Sequence, residues 1–183
     1  MKKILIFIAV TFSFLAQLSF AANVAPLGLE LGVATIDKVK KEIGSRTKLV
    51  DNGINAYSEG RMLAGNGEGL ELDGLKEITF IFDKSNVLAG VLMTFPKGGM
   101  GNENFKEKLA MLSAKYKVVE KSVPFVGDSY AKLKLGDSIV ELKAPHMSFD
   151  MTLNYLTNRL VTNFYTVSAK ENAEKQKRQA NNL

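Results

Sequence analysis

Cysteine and tryptophan are absent from this 183-residue chain, histidine occurs once, and proline only four times. Without cysteine there is no disulfide, no thiolate metal site, no cysteine nucleophile and no cysteine-linked lipid anchor. A single histidine, His146, leaves out the usual multi-histidine zinc sites. Hydrophobic residues make up 46% and charged residues 23%, ordinary for a globular protein and unlike long disorder, collagen or coiled-coil arrays. No basic face with interleaved aromatics stands out, so nucleic acid is not an expected partner.

What is present begins with an address. Lys2 and Lys3 precede an apolar run of 15 residues, Ile4 to Leu18, broken only by Thr11, Ser13 and Gln17. Ser19-Phe20-Ala21 then places small residues where a signal peptidase reads. The run is short for a span, which needs about 20 apolar residues. Residues 1–21 are therefore expected to be a secretory signal peptide, cleaved after Ala21. The expected location is periplasmic or secreted, in a bacterium, with no transmembrane span after signal removal. The mature chain would have 162 residues, and its 22 basic against 19 acidic groups give a net charge of +3.

Thr35 is a candidate N-cap for a helix, with Asp37 in the first turn, Ile36, Val39 and Ile43 on one face and Gly44 as the stop. Before it, Leu29 and Leu31 alternate with polar or small neighbours and suggest a brief strand. Lys48 to Asp51 is strand-like, Asn52-Gly53 is a turn signal, and Ala56 to Ala64 suggests another strand. Leu75 to Phe82 and Val87 to Phe95 read as a hairpin about Asp83-Lys84-Ser85-Asn86, rich in β-branched and aromatic residues. Pro96 to Gly101 breaks the pattern. A second helix opens near Asn102 or Asn104 and carries Phe105, Leu109, Leu112 and Tyr116 as a core stripe. Lys117 to Val123 is strand-like. Ala131, Leu133 and Leu135 then alternate with Tyr130, Lys132 and Lys134, one face buried and one wet. Ile139 to Lys143 and Met151 to Leu156 read as the last strands. Leu160, Phe164 and Val167 begin a C-terminal helix that docks by its first turns, while 169–183 is a polar helical tail.

The fold class is thus α+β: tandem helix-plus-three-strand repeats with an antiparallel sheet and a C-terminal helix. The first half is placed at 22–98 and the second at 99–168. Lys48-Leu49-Val50-Asp51 and Lys117-Val118-Val119-Glu120 stand at similar distances past each helix, which suggests an internal duplication.

The segment Leu29 to Gly44, LELGVATIDKVKKEIG, resembles the opening of the small envelope repeat in the β-lactamase-inhibitor-like superfamily. It is similar also to the outer-membrane assembly lipoprotein family. The resemblance implies a tandem helix-plus-sheet fold used for protein binding. The chain lacks the lipid-attachment cysteine of the lipoproteins and the disulfides of the inhibitor, so no functional residue is carried over.

Several motifs invite chemistry. Gly-Asp-Ser occurs at 127–129 and 136–138, and Leu135-Gly136-Asp137-Ser138-Ile139 resembles the nucleophile block of the Gly-Asp-Ser esterases. Serine hydrolysis needs a base and a group that orients it, and only His146 is of the usual type. Turn tripeptides are the competing explanation. Ser45-Arg46-Thr47-Lys48 has the spacing of penicillin-binding enzymes but follows a helix instead of starting one. Gly65-Asn66-Gly67-Glu68-Gly69 lacks the following helix and Lys-Ser/Thr of a phosphate loop. His146, Asp150 and Glu141 are a possible weak metal set, against which His146 reads as a solvated loop residue. No cofactor and no metal is expected, and no residue is assigned a catalytic role.

The expected function is that of an exported, non-enzymatic envelope or periplasmic protein that binds another protein through a sheet surface or edge. Tyr130, Lys132 and Lys134, on the wet face, are the candidate binding residues. The alternatives are a small-molecule binder or serine hydrolase with a cleft between the halves, and a periplasmic chaperone or enzyme inhibitor.

Overall fold

The computed structural model describes residues 23–98 and 102–181. The signal-peptide expectation for residues 1–21 lies outside them. Among the described residues three α-helices and eight strands follow one another as α1 (Ile36–Glu42), β1 (Val50–Ile54), β2 (Glu59–Gly65), β3 (Glu77–Asp83), β4 (Leu88–Pro96), α2 (Glu103–Ser113), β5 (Lys117–Ser122), β6 (Ser129–Leu135), β7 (Ser138–Ala144), β8 (Asp150–Thr157) and α3 (Asn158–Asn181). All eight strands form one antiparallel sheet in the order β1-β2-β3-β4-β8-β7-β6-β5. The fold is α+β with a C-terminal helix, as expected. Four strands, not three, follow each of α1 and α2. The strand-like segments expected at Lys48–Asp51 and Lys117–Val123 become the sheet's edges, β1 and β5, and every residue of β1 is exposed.

Strand pleating sorts side chains onto two faces. One row runs across all eight strands: Asp51, Leu63, Phe80, Val91, Tyr155, Val140, Leu133 and Val118. From Leu63 to Leu133 it belongs to the main core. Against this inner face lie α1, through Ile36, Val39 and Ile43, and α2, through Phe105 and Leu112. Leu109 and Tyr116 of the expected α2 stripe pack against the same core, half-buried. The Thr35 hydroxyl accepts a hydrogen bond from Lys38 N at 3.3 Å, the N-cap that sets where α1 begins.

Leu29 and Leu31 do not form a strand. They follow a short 3-10 turn at Pro26–Gly28 and are fully buried, and Leu31 N donates to Val24 O at 3.0 Å. Their alternation marks two anchors of the N-terminal segment instead of a pleated run.

The outer face carries α3. The Thr157 hydroxyl accepts from Leu160 N at 3.3 Å and starts this helix directly out of β8. Leu160 is its one buried residue, forming a small second core with Ile81 and Ala89, flanked by Tyr57, Met62, Leu92 and Leu156. Gly90 allows the close approach: a Cβ there would stand 3.0 Å from Leu160 Cδ2 and 3.1 Å from Leu156 Cδ2. The polar tail is a continuation of α3, helical to Asn181. Among the described residues no helix is long and apolar enough to cross a membrane.

Candidate functional site

Registers across the sheet assemble the outer face from residues far apart in sequence. One row runs Val50, Ala64, Thr79, Leu92, Asn154, Glu141, Lys132, Glu120, and a second ends Thr94, Thr152, Lys143, Tyr130, Ser122. A third ends Leu156, Ile139, Lys134, Lys117. Tyr130, Lys132 and Lys134 therefore stand side by side on this face, one in each row. Their inward neighbours Ala131 and Leu133 are fully buried. The helix α3 docks through Leu160 over β3 and β4 and lies next to β8, and its Phe164 and Tyr165 reach toward Glu141 and Lys143 of β7, while Tyr130, Lys132 and Lys134 on β6 are half-buried to exposed.

At the border between covered and open sheet, Glu141 is buried although it carries a carboxylate. Lys143 Nζ donates to its Oε2 at 2.7 Å, and the same ammonium lies 5.8 Å from the Tyr130 ring centroid. The Tyr130 hydroxyl is pushed up to about 12, first by burial and then by the nearby Glu141 and Glu120 carboxylates, which disfavour a second negative charge. The phenol therefore stays neutral and able to donate a hydrogen bond throughout the physiological range.

Beside this border a groove of about 310 Å³ opens beneath α3. Its walls are apolar, from Tyr57, Leu92, Leu156, Phe164 and Tyr165, and its floor presents Asn154, Glu141 and Lys143. The rings of Tyr57 and Phe164 meet edge-on at 4.9 Å, and Asn163 Nδ2 donates to Tyr57 O at 3.0 Å. These two contacts hold the α3 wall to the β1–β2 connection. The arrangement joins an apolar slot to a strip of mixed charge, the composition of a protein-contact surface. The edges are less suited to a partner. Both β1 and β5 are interrupted by register shifts, at Asp51/Ile54 and Val118/Glu120. Bulges and edge charges such as Lys117 and Lys121 discourage strand addition.

The nucleophile constellations are not assembled. Ser138 begins β7 and His146 follows its other end, beyond a strand about 20 Å long at roughly 3.3 Å per residue. The Ser138 hydroxyl is buried without a hydrogen-bond partner. Ser129 is nearer to His146, but its buried hydroxyl accepts from Asn102 Nδ2 at 3.1 Å. The His146 backbone N donates to Asp128 Oδ1 at 2.7 Å, which fixes the loop. Asp150 pairs with Lys76 at 2.5 Å and Glu141 with Lys143. Among the described residues no group of three His, Asp or Glu side chains is placed to hold a metal ion. The glycine-rich loop is pinned by fully buried Leu70 and by Thr47 Oγ1 donating to Asn66 Oδ1 at 3.3 Å. Ser45 Oγ donates to Glu42 O at 3.1 Å, closing the end of α1.

Sequence reasoning placed Glu141 only in a weak metal set with His146 and Asp150, and it missed Lys143, Asn154 and the α3 wall. The available signal was Glu141 itself, a charged residue inside the otherwise apolar run Ile139 to Leu142.

No protein-family model matches the chain, and no curated protein matches it. Among solved structures it is similar to a DUF4309 family protein from Bacillus subtilis subsp. subtilis str. 168, at 13% sequence identity over 74% of this chain and 88% of that one, with a TM-score of 0.37.

Proposed function

We propose that this chain is an exported, non-enzymatic protein of the bacterial envelope or periplasm that holds a protein partner on the outer face of its sheet. What supports the reading is the open half of that face. Tyr130, Lys132, Lys134 and Lys143 there form one continuous polar surface next to an apolar slot that suits an anchoring side chain. A partner seated there would bury the rings of Tyr130 and Tyr165 while its charges met the lysines. The mirrored order of α1 with β1–β4 and α2 with β5–β8 about the β4–β8 pair supports an internal duplication of the kind used for protein binding.

The test is co-purification from envelope extracts of the source bacterium with three tagged forms of the protein. Wild type should retain a specific protein. Tyr130→Ala combined with Lys132→Glu should lose it, and Lys41→Glu, on exposed α1, should keep it. Retention by the double variant, or equal loss with Lys41→Glu, would refute the outer face as the contact surface.

A further inference from the structure

The inner face holds a second recess, distinct from the outer surface. It lies between α2 and the N-terminal segment, has a volume of about 260 Å³, and draws one wall from Pro26, Leu27 and Leu72. Its floor is Met93, Phe95, Leu153 and Tyr155 from the two central strands β4 and β8, and its far wall is α2, bearing Lys108 and Met111, with Lys115 in the turn after it. Met111 beside it is largely exposed.

The charge at its rim has one sign. Lys108 and Lys115 stand seven residues apart, on one side of the α2 region, and no carboxylate lines the recess. Among the described residues neither lysine has a carboxylate partner within ion-pair distance, whereas Lys38, Lys76, Lys84 and Lys143 each do. The Lys108 ammonium instead lies 3.9 Å from the Phe95 ring centroid, over the apolar floor. Burial lowers its proton affinity, and the Glu107 and Asp73 carboxylates on its other side partly restore it. Those two acids line a separate cavity behind Lys108. Lys115 therefore offers the less compensated charge. Two phenols complete the rim: Tyr116 and Tyr155 meet edge-on at 6.5 Å, and burial raises the pKa of both, so they stay neutral donors.

We propose that this recess is a binding site for a small amphipathic anion, a molecule with a medium-length aliphatic or aromatic body and one carboxylate or sulfonate head. The body would lie on Met93, Phe95 and Leu153, and the head would meet Lys115, with Lys108 and the Tyr116 hydroxyl beside it. The volume lies just below the usual lower bound of about 300 Å³ for ligand pockets, which favours a single short chain over a two-chain lipid.

Decanoate, decanol and decyltrimethylammonium, each below its critical micelle concentration, form the test with the full mature protein. Calorimetry should show saturable decanoate binding at least tenfold tighter than decanol, with no saturable binding of the cation. Lys115→Glu should weaken decanoate tenfold or more, while Lys115→Arg retains it and Lys108→Ala costs less. Methyl NMR of labelled methionines locates the site: Met93 and Met111 should shift, while Met147, exposed in the β7–β8 loop, should not. Absence of saturable decanoate binding to wild type would overturn the proposal. So would equal affinity for decanol and decanoate with no effect of Lys115→Glu, or shifts confined to Met147. Circular dichroism checks that each lysine variant is folded; Lys115 is exposed just past the end of α2, whereas Lys108 is half-buried in its middle.

Discussion

Leu160→Ala tests how the outer wall of the candidate site is held. Leu160 is the only buried residue of the 24-residue helix α3, and it packs into a cluster with just two other buried residues, Ile81 and Ala89. Truncating a buried leucine costs about 2–5 kcal/mol, more where the cavity cannot collapse. The small cluster and its half-buried neighbours can relax inward, so the lower part of that range applies, about 2–3 kcal/mol. An isolated helix is marginal in water, so the loss should fall on α3 docking and not on the sheet. At about 1.4 kcal/mol per factor of ten, amides of residues 158–168 that exchange by local detachment should speed up roughly 30- to 150-fold. Phe80→Ala in the main core, where the side chain is fully buried, should cost about 3–5 kcal/mol and lower the urea midpoint of the whole protein. Hydrogen exchange read by mass spectrometry, with urea unfolding alongside, separates the two effects. Unchanged exchange in α3, together with a urea midpoint lowered as far as by Phe80→Ala, would refute the idea of a separately docked wall.

Three further outcomes follow from particular residues. A Cβ on Gly60 would stand 2.1 Å from Phe82 O and 2.4 Å from Asp83 O. That contact is with backbone, so Gly60→Ala should destabilise by about 3 kcal/mol in urea unfolding. Tyr130 holds its proton to about 12 in the folded protein against about 10 unfolded. Its contribution is complete below about pH 10 and is lost as pH rises through 12, because the unfolded chain releases that proton first. Phenolate absorbance during an alkaline titration should show this late component, and Tyr130→Phe should remove it and flatten that part of the stability curve. Phe125 and Phe149 are almost fully exposed, at 99% and 91%, so Phe125→Ser and Phe149→Ser should change the stability read from thermal unfolding by no more than about 0.5 kcal/mol.

Local patterns were legible where one residue's neighbours decide its fate. The alternation in β6 separates Ala131 and Leu133 from Tyr130, Lys132 and Lys134 without any knowledge of the rest of the sheet. Thr35 and the α2 stripe likewise mark their helices. What was hidden depends on register and long-range pairing. The row that puts Glu141 beside Lys132 and Asn154 exists only once β6, β7 and β8 are aligned. The Tyr57–Phe164 contact closes the groove across 107 positions. The edge strands showed as short strand-like runs at Lys48–Asp51 and Lys117–Val123, although β1 is exposed throughout and carries no apolar face. The alternation at Leu29 and Leu31 misled because two buried anchors on an irregular segment can mimic a strand. The Gly-Asp-Ser motifs were turns feeding β6 and β7, and strand length alone keeps Ser138 from His146.

The most direct test of the outer face as the working surface is site-specific photo-crosslinking in living cells. A benzophenone side chain is placed in turn at Tyr130, Lys132 and Lys134, and at Lys38 and Lys41 of α1 on the opposite side. The account requires one discrete protein adduct from the three sheet positions and none from α1. Adducts from Lys38 or Lys41 alone, or none from any position, would contradict it.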